Sequence, residues 1–167
     1  FINQTKSALG ARQLKRWLMA PLKAPAEIRE RQDAIREITA AGAGLVDRIA
    51  ADLSEIYDLE RLAGRLNAGL ANPRDTLALG RSLSAVPALV SRLSVFRSGL
   101  LSSLRDRLEK SATRLEGLGE RIVRDQREDA PLTTRDGNIF NRGVHPDLDR
   151  LIELTTDGQK WLVELEA

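Results

Sequence analysis

Apolar residues recur at spacings of three and four along almost the whole chain, the period of helices that bury one face. Leu9, Leu14, Trp17 and Leu18 mark a first helix that ends near Pro21. Pro25 stands where the first turn of a second helix tolerates it, and Ile28, Ile35 and Ile38 follow. Gly42 and Gly44 punctuate the chain before Leu45, Ile49, Leu53 and Ile56 open a third helix. Asp58 is placed to cap a fourth, with Leu59, Leu62, Leu66 and Leu70 on one face. Asn72-Pro73 reads as a cap and first-turn proline for a fifth, with Leu79, Leu83, Val86, Val90 and Leu93; Pro87 predicts a kink or break inside it. One long helix is predicted from about Ser98 to Gln126, carrying Leu100, Leu104, Leu108, Leu115, Leu118 and Ile122, with Gly117 and Gly119 weakening its later turns. The pattern breaks near residues 131–143. Leu132-Thr133-Thr134, an Asp136-Gly137 turn and Ile139-Phe140 read there as a small hairpin. Pro146 starts a last helix with a stripe of Leu148, Leu151, Ile152, Leu162 and Leu165.

The predicted fold is therefore all-α and multihelical, one helical domain over residues 1–167 with a hairpin-like interruption. The residues expected to hold its core are Leu14, Trp17, Leu59, Leu62, Leu104, Leu115 and Leu148. With 42% apolar and 30% charged residues the chain is expected to be soluble, and its Leu, Ala, Arg and Glu bias supports helix. No apolar run approaches the roughly 18 residues of a membrane span. Cysteine is absent, which removes disulfides and thiolate metal sites and is compatible with a cytoplasmic location. The first residues are Phe1-Ile2, the sole methionine is Met19, and the last stripe runs to Ala167 without a stop signal. The chain is accordingly read as a fragment of a longer protein.

Reaction chemistry finds little support in these residues. His145 is the one histidine; in Val144-His145-Pro146-Asp147 it reads as the residue that opens a helix, since the residue before proline is pushed toward extended geometry. Asp125, Glu128 and Asp129 cluster but alternate with Arg124 and Arg127, a solvated charged face rather than a general acid–base pair. Neither Gly42-Ala43-Gly44 nor Gly117-Leu118-Gly119 continues into a phosphate-binding Gly-Lys-Ser/Thr. No catalytic, cofactor-binding or metal-binding residue is therefore assigned. Net charge is only +2, yet the first 26 residues hold Lys6, Arg12, Lys15, Arg16 and Lys23 and no acid. On a helix Arg12, Lys15, Arg16 and Lys23 would share a broad face suited to phosphate. Aromatic interleaving for base stacking is missing, Trp17 being counted with the apolar stripe, so solvated or domain-facing charge is the preferred reading.

Four stretches carry a family resemblance. The first is Thr5-Lys6-Ser7-Ala8-Leu9-Gly10-Ala11-Arg12-Gln13-Leu14-Lys15-Arg16-Trp17-Leu18 with Pro21-Leu22; the second is Ile28-Arg29-Glu30-Arg31-Gln32-Asp33-Ala34-Ile35. The third pairs Asp58-Leu59-Glu60-Arg61-Leu62 with Asn72-Pro73-Arg74-Asp75, and the last joins Arg135-Asp136-Gly137 to Gly143 and Leu148-Asp149. In order and spacing they resemble the core, or lever, domain of the MutS family of DNA mismatch-repair proteins. Leu9, Asn138, Val144 and Pro146 depart from the family pattern.

The resemblance implies the first half of that core, ending as the outgoing lever approaches the inserted DNA-gripping clamp. It also implies a parent that binds mismatched double-stranded DNA, uses ATP and Mg, forms a homodimer and works beside the other MutS domains. On this reading the fragment itself is not an enzyme and takes no cofactor or membrane; its task is to couple ATPase to clamp by moving stiff helices. The alternative from a different class is a helical adaptor that binds protein partners through an exposed groove. A small hydrolase acting through Asp125 and Glu128 is the weakest option.

Overall fold

Several of the helices begin where a local side chain accepts from their free N–H groups. The computed structural model describes residues 2–165, with side chains described through residue 155. In α1 (Ala8–Met19) the Ser7 hydroxyl accepts from Gly10 N at 3.1 Å. In α2 (Pro25–Ala40) Pro25 occupies the first turn, and α3 (Ala43–Ser54) starts behind Gly42 at φ 86°. Asp58 caps α4 (Leu59–Asn67) by accepting from Arg61 N at 3.1 Å. Asn72 and Asp75 form a reciprocal capping box at the head of α5 (Pro73–Leu93). Such caps contribute about 1 kcal/mol each.

The long helix predicted over Ser98–Gln126 is two helices, α6 (Gly99–Arg114) and α7 (Leu118–Asp125). Gly117 takes the left-handed conformation at φ 72° between them, which ends one helix and re-aims the next. In the opposite sense, α5 runs unbroken through Pro87. The proline forfeits the bond to the Leu83 carbonyl, but packing on both sides holds the helix together. The interruption after α7 lies where the pattern placed it. A single antiparallel bridge, Gln126 with Phe140, closes it, flanked by Arg127 N to Ile139 O and Asn141 N to Asp125 O, both 2.8 Å. The chain reverses through Gly137 and Asn138, both at positive φ. The arm expected over Leu132-Thr133-Thr134 is instead the approach to a 3-10 turn, Thr134–Asp136. The last helix, α8, spans Pro146–Leu165. The side chains of Leu162 and Leu165 lie outside the described residues.

Among the described residues α5 is the hub, packed against α7, α6, α3 and α4. Its contact with α7 is the tightest in the fold. A Cβ on Gly80 would stand 2.7 Å from Ile122 Cγ2, and one on Gly119 2.9 Å from the Gly80 carbonyl oxygen. Only hydrogen at both positions lets the two backbones lie together. A second cluster forms at the far end of α5, where Phe96, Leu101 and Ala34 are buried and Ile38, Leu45, Ile49, Leu93 and Leu100 surround them. Of the residues expected in the core, Leu62 is buried and Leu14, Leu59 and Leu148 are half-buried. Trp17, Leu104 and Leu115 are corrected to surface positions, 43%, 40% and 42% exposed. Leu115 is the C-cap of α6 and borders an open cleft beside α5 that no side chain fills, which leaves it in contact with solvent.

These contacts order the stability of four variants measured by urea denaturation. Gly80→Ala and Gly119→Ala are expected to cost about 1–3 kcal/mol each by overpacking. Gly64→Ala, inside α4 with open space around the new methyl, is expected to gain about 0.5–1 kcal/mol. Leu62→Ala should cost about 2–5 kcal/mol, and Leu104→Ala clearly less.

Candidate functional site

The basic N-terminal segment does not present one free cationic face. Arg12 forks its guanidinium over two acids at the head of α4: one nitrogen donates to Asp58 Oδ2, the other to Asp58 Oδ1 at 2.8 Å and to Glu60 at 2.6 Å. The bidentate match keeps Arg12 charged and holds the Asp58 carboxyl below its ordinary value, helped by the Arg61 N–H. Arg12 is thus a joint between α1 and α4. Lys6, Lys15, Arg16 and Lys23 remain exposed, so any phosphate contact of this segment falls to them. Trp17 stands out of the core with the Arg31 guanidinium 4.1 Å from its ring centre, a cation–π contact joining α1 to α2.

His145 opens α8 as its position before proline implies: its Nδ1 accepts from Asp147 N at 3.2 Å and its carbonyl from Asp149 N at 3.1 Å. The acidic cluster is consumed by salt bridges. Asp125 pairs with Arg124 and Arg121, Asp129 with Arg127, and Glu128 with Arg81. Arg124 and Arg127 pull the Asp125 and Asp129 carboxyls down, the wrong direction for a general acid. Among the described residues no group of three His, Asp or Glu side chains could hold a metal ion.

Several joints escaped the sequence pattern. Gln126 is buried; its amide nitrogen donates to the Pro73 carbonyl and its Oε1 accepts from the Thr76 hydroxyl at 2.7 Å. With Arg74 Nε donating to Ala130 O at 3.3 Å, it stitches the loop after α7 to the head of α5. Ser82 is fully buried, donating to Ala78 O and accepting from Tyr57 N at 2.9 Å, which fixes the α3–α4 connection on α5. Glu37 reaches from α2 to the start of α6, accepting from Arg97 N at 2.5 Å and Ser98 N at 2.8 Å. These two N–H bonds hold its carboxyl below the usual range. No local pattern marks a side chain that caps a helix 60 residues away.

Among the clefts that flank this framework, two border α5 and α7 on their apolar sides. One, of about 430 Å³, lies between α5 and the α6–α7 elbow and is lined by Leu59, Leu83, Pro87, Ala112 and Gly117 among others. The other, of about 640 Å³, opens between α5, α7 and the loop, over Leu79, Ile122, Phe140 and Val144. A family model described as MutS domain III matches residues 1–164.

The chain belongs to the MutS domain III family.

It is 39% identical over 165 residues to the DNA mismatch repair protein MutS of Myxococcus xanthus (strain DK1622), and 40% identical over 166 residues to that of Synechococcus elongatus. It is 35% identical to the MutS of Methanothrix thermoacetophila. Each match covers 99% of the chain and 18–19% of the relative, so the chain spans under a fifth of their length. In this MutS domain III chain the first of the four signature stretches meets the second and the third. Arg12 of the first grips Asp58 and Glu60 of the third, and Trp17 of the first stacks on Arg31 of the second. In the last, Gly143 N donates to both Asp149 carboxylate oxygens, at 2.9 and 3.1 Å. Arg12 and Trp17 of the first stretch are thus joints between helices.

The Glu37 bridge gives a pH dependence with a definite sign. Because folding lowers its pKa, the stability it contributes is complete above the ordinary glutamate value of 4.5. It is lost as pH falls below that value. Urea midpoints at pH 7 and pH 3 should therefore converge in Glu37→Gln, which is less stable than the parent at pH 7 and loses less on acidification.

Proposed function

We propose that this chain is the structural core segment of a MutS-like mismatch-repair protein, transmitting between an ATPase domain and a DNA-gripping clamp through its helices. The observation that carries the reading is the domain III match over residues 1–164, joined to a body whose signature residues serve as inter-helix joints. Transmission of this kind needs stiff elements with discrete arrangements. The stiff unit is not a single rod over Ser98–Gln126, since Gly117 divides it. It is the part of α5 before Pro87 clamped to α7, with the 20-residue α8 leaving from the loop that Gln126 fastens to α5.

For the whole protein the proposal extends to mismatched double-stranded DNA as ligand, ATP with Mg hydrolysed outside this chain, a homodimer, and a cytoplasmic location. No helix among the described residues is long and apolar enough to cross a membrane. Lys6, Lys15, Arg16 and Lys23 would add at most weak, salt-sensitive attraction to DNA.

Two measurements test this division of labour. The 167-residue chain, titrated by fluorescence anisotropy against matched and G·T-mismatched duplexes, should bind weakly and equally, with binding lost as salt rises. A preference for the mismatch would place recognition in this chain and overturn the proposal. In the full-length protein, Gln126→Ala should keep DNA-independent ATP hydrolysis while weakening its response to mismatched DNA. An unchanged response would remove the transmitting role from this joint.

A further inference from the structure

The described packing divides into two clusters, and the links between them share one feature. The first cluster joins the front of α5 to α7, α4 and the loop after α7. The Gly80–Gly119 contact, the Gln126 and Arg74 bonds to the loop, and the Arg81–Glu128 pair all lie within it. The second joins the end of α5 to α2, α3 and α6 around Phe96, with Glu37 on Arg97 and Ser98, and Arg92 on Asp52.

The chain passes between the clusters at three places. One is the non-helical connection of residues 55–58, one is α5 at Pro87, and one is the turn at residues 115–117 between α6 and α7. All three places reach the same cleft of about 430 Å³: Leu59 lines it just after the first, Pro87 at the second, and Leu115, Glu116 and Gly117 at the third.

We propose that this cleft is the inner side of a hinge, and that the two clusters bend against each other as rigid bodies about a line through Pro87 and Gly117. The physical costs of such a bend are low at each crossing. At Pro87 the bond to the Leu83 carbonyl is already missing, so bending the helix there costs one backbone hydrogen bond fewer than at another position in α5. Gly117, at φ 72° with open space where a Cβ would be, can move between conformations that other residues resist. Residues 55–58 carry no helical ladder. The cleft itself means that few atoms are in contact across the bend, so closing or opening it forfeits little dispersion energy.

The polar ties described above stay within one cluster or the other, apart from those of α1. That helix reaches the first cluster through Arg12 on Asp58 and Glu60, and the second through Trp17 on Arg31. The second tie is a stacking contact on a Trp17 that is 43% exposed, so α1 bridges the two clusters with its ion pairs on one side only. A hinge here would supply the discrete arrangements that transmission requires, but it is a property of this chain and stands without that reading.

The chain lacks cysteine, so spin labels can be paired at will and their separation read by double electron–electron resonance. Labels at Ala63→Cys on α4 and Ser103→Cys on α6 report across the hinge. Labels at Gln32→Cys on α2 and Ser103→Cys report within the Phe96 cluster; all three positions are exposed. The distance distribution across the hinge should be broader than the one within the cluster. Pro87→Ala restores the missing N–H to α5, and Ala112→Leu fills the cleft; each should narrow the cross-hinge distribution and leave the other unchanged, at unaltered helical content by circular dichroism. A cross-hinge distribution as narrow as the internal one overturns the proposal. So does a broad one that neither variant narrows.

Discussion

Gly80 on α5 and Gly119 on α7 bring two helix backbones closer than any side chain permits, and much of the fold is arranged so that they can meet. A Cβ on either would press into the partner helix. The chain must therefore stop α6, turn at Gly117 and start α7 on a new line, because one straight helix from Ser98 onward would carry Gly119 away from Gly80. Once α7 lies on α5, Gln126 arrives beside the Pro73 carbonyl and the Thr76 hydroxyl, and the following loop is fastened to the head of α5. The position from which α8 departs follows from that fastening. A contact between two hydrogens thus sets the path of the last third of the chain.

Away from that crossing, the fold is held by side chains that end or begin someone else's helix. Glu37 of α2 receives the first N–H groups ahead of α6, Ser82 of α5 receives Tyr57 N, and Arg12 of α1 grips the capping acid of α4. Each ties elements distant in sequence while satisfying backbone or charge that would otherwise need water. Such joints are directional. They fix how helices sit relative to one another, which apolar burial alone does not, and a scaffold that transmits movement depends on that registry. Arg12 on Asp58 and Trp17 on Arg31 are joints of the same kind, each linking α1 to another helix.

The sequence by itself determined the helical class, most helix boundaries and the family. Caps and prolines act over three or four residues, so Asp58, Asn72, Pro25 and His145 could be read directly, and each starts a helix as its local chemistry requires. Apolar periodicity likewise located the α-helices, apart from the division of the Ser98–Gln126 stretch into α6 and α7, and the interruption after residue 130. The tertiary structure alone decided which periodic residues are buried. Trp17, Leu104 and Leu115 satisfy the period yet face solvent, while Phe96, in a turn outside any period, is 1% exposed at the centre of a cluster. It also decided that Gly117 ends a helix while Pro87 does not. Both residues weaken a helix locally, and the outcome turns on whether neighbouring elements hold the two sides in line. Periodicity states that a face is apolar; which neighbour covers it, and how closely two backbones approach, are properties of contacts between residues far apart in the chain.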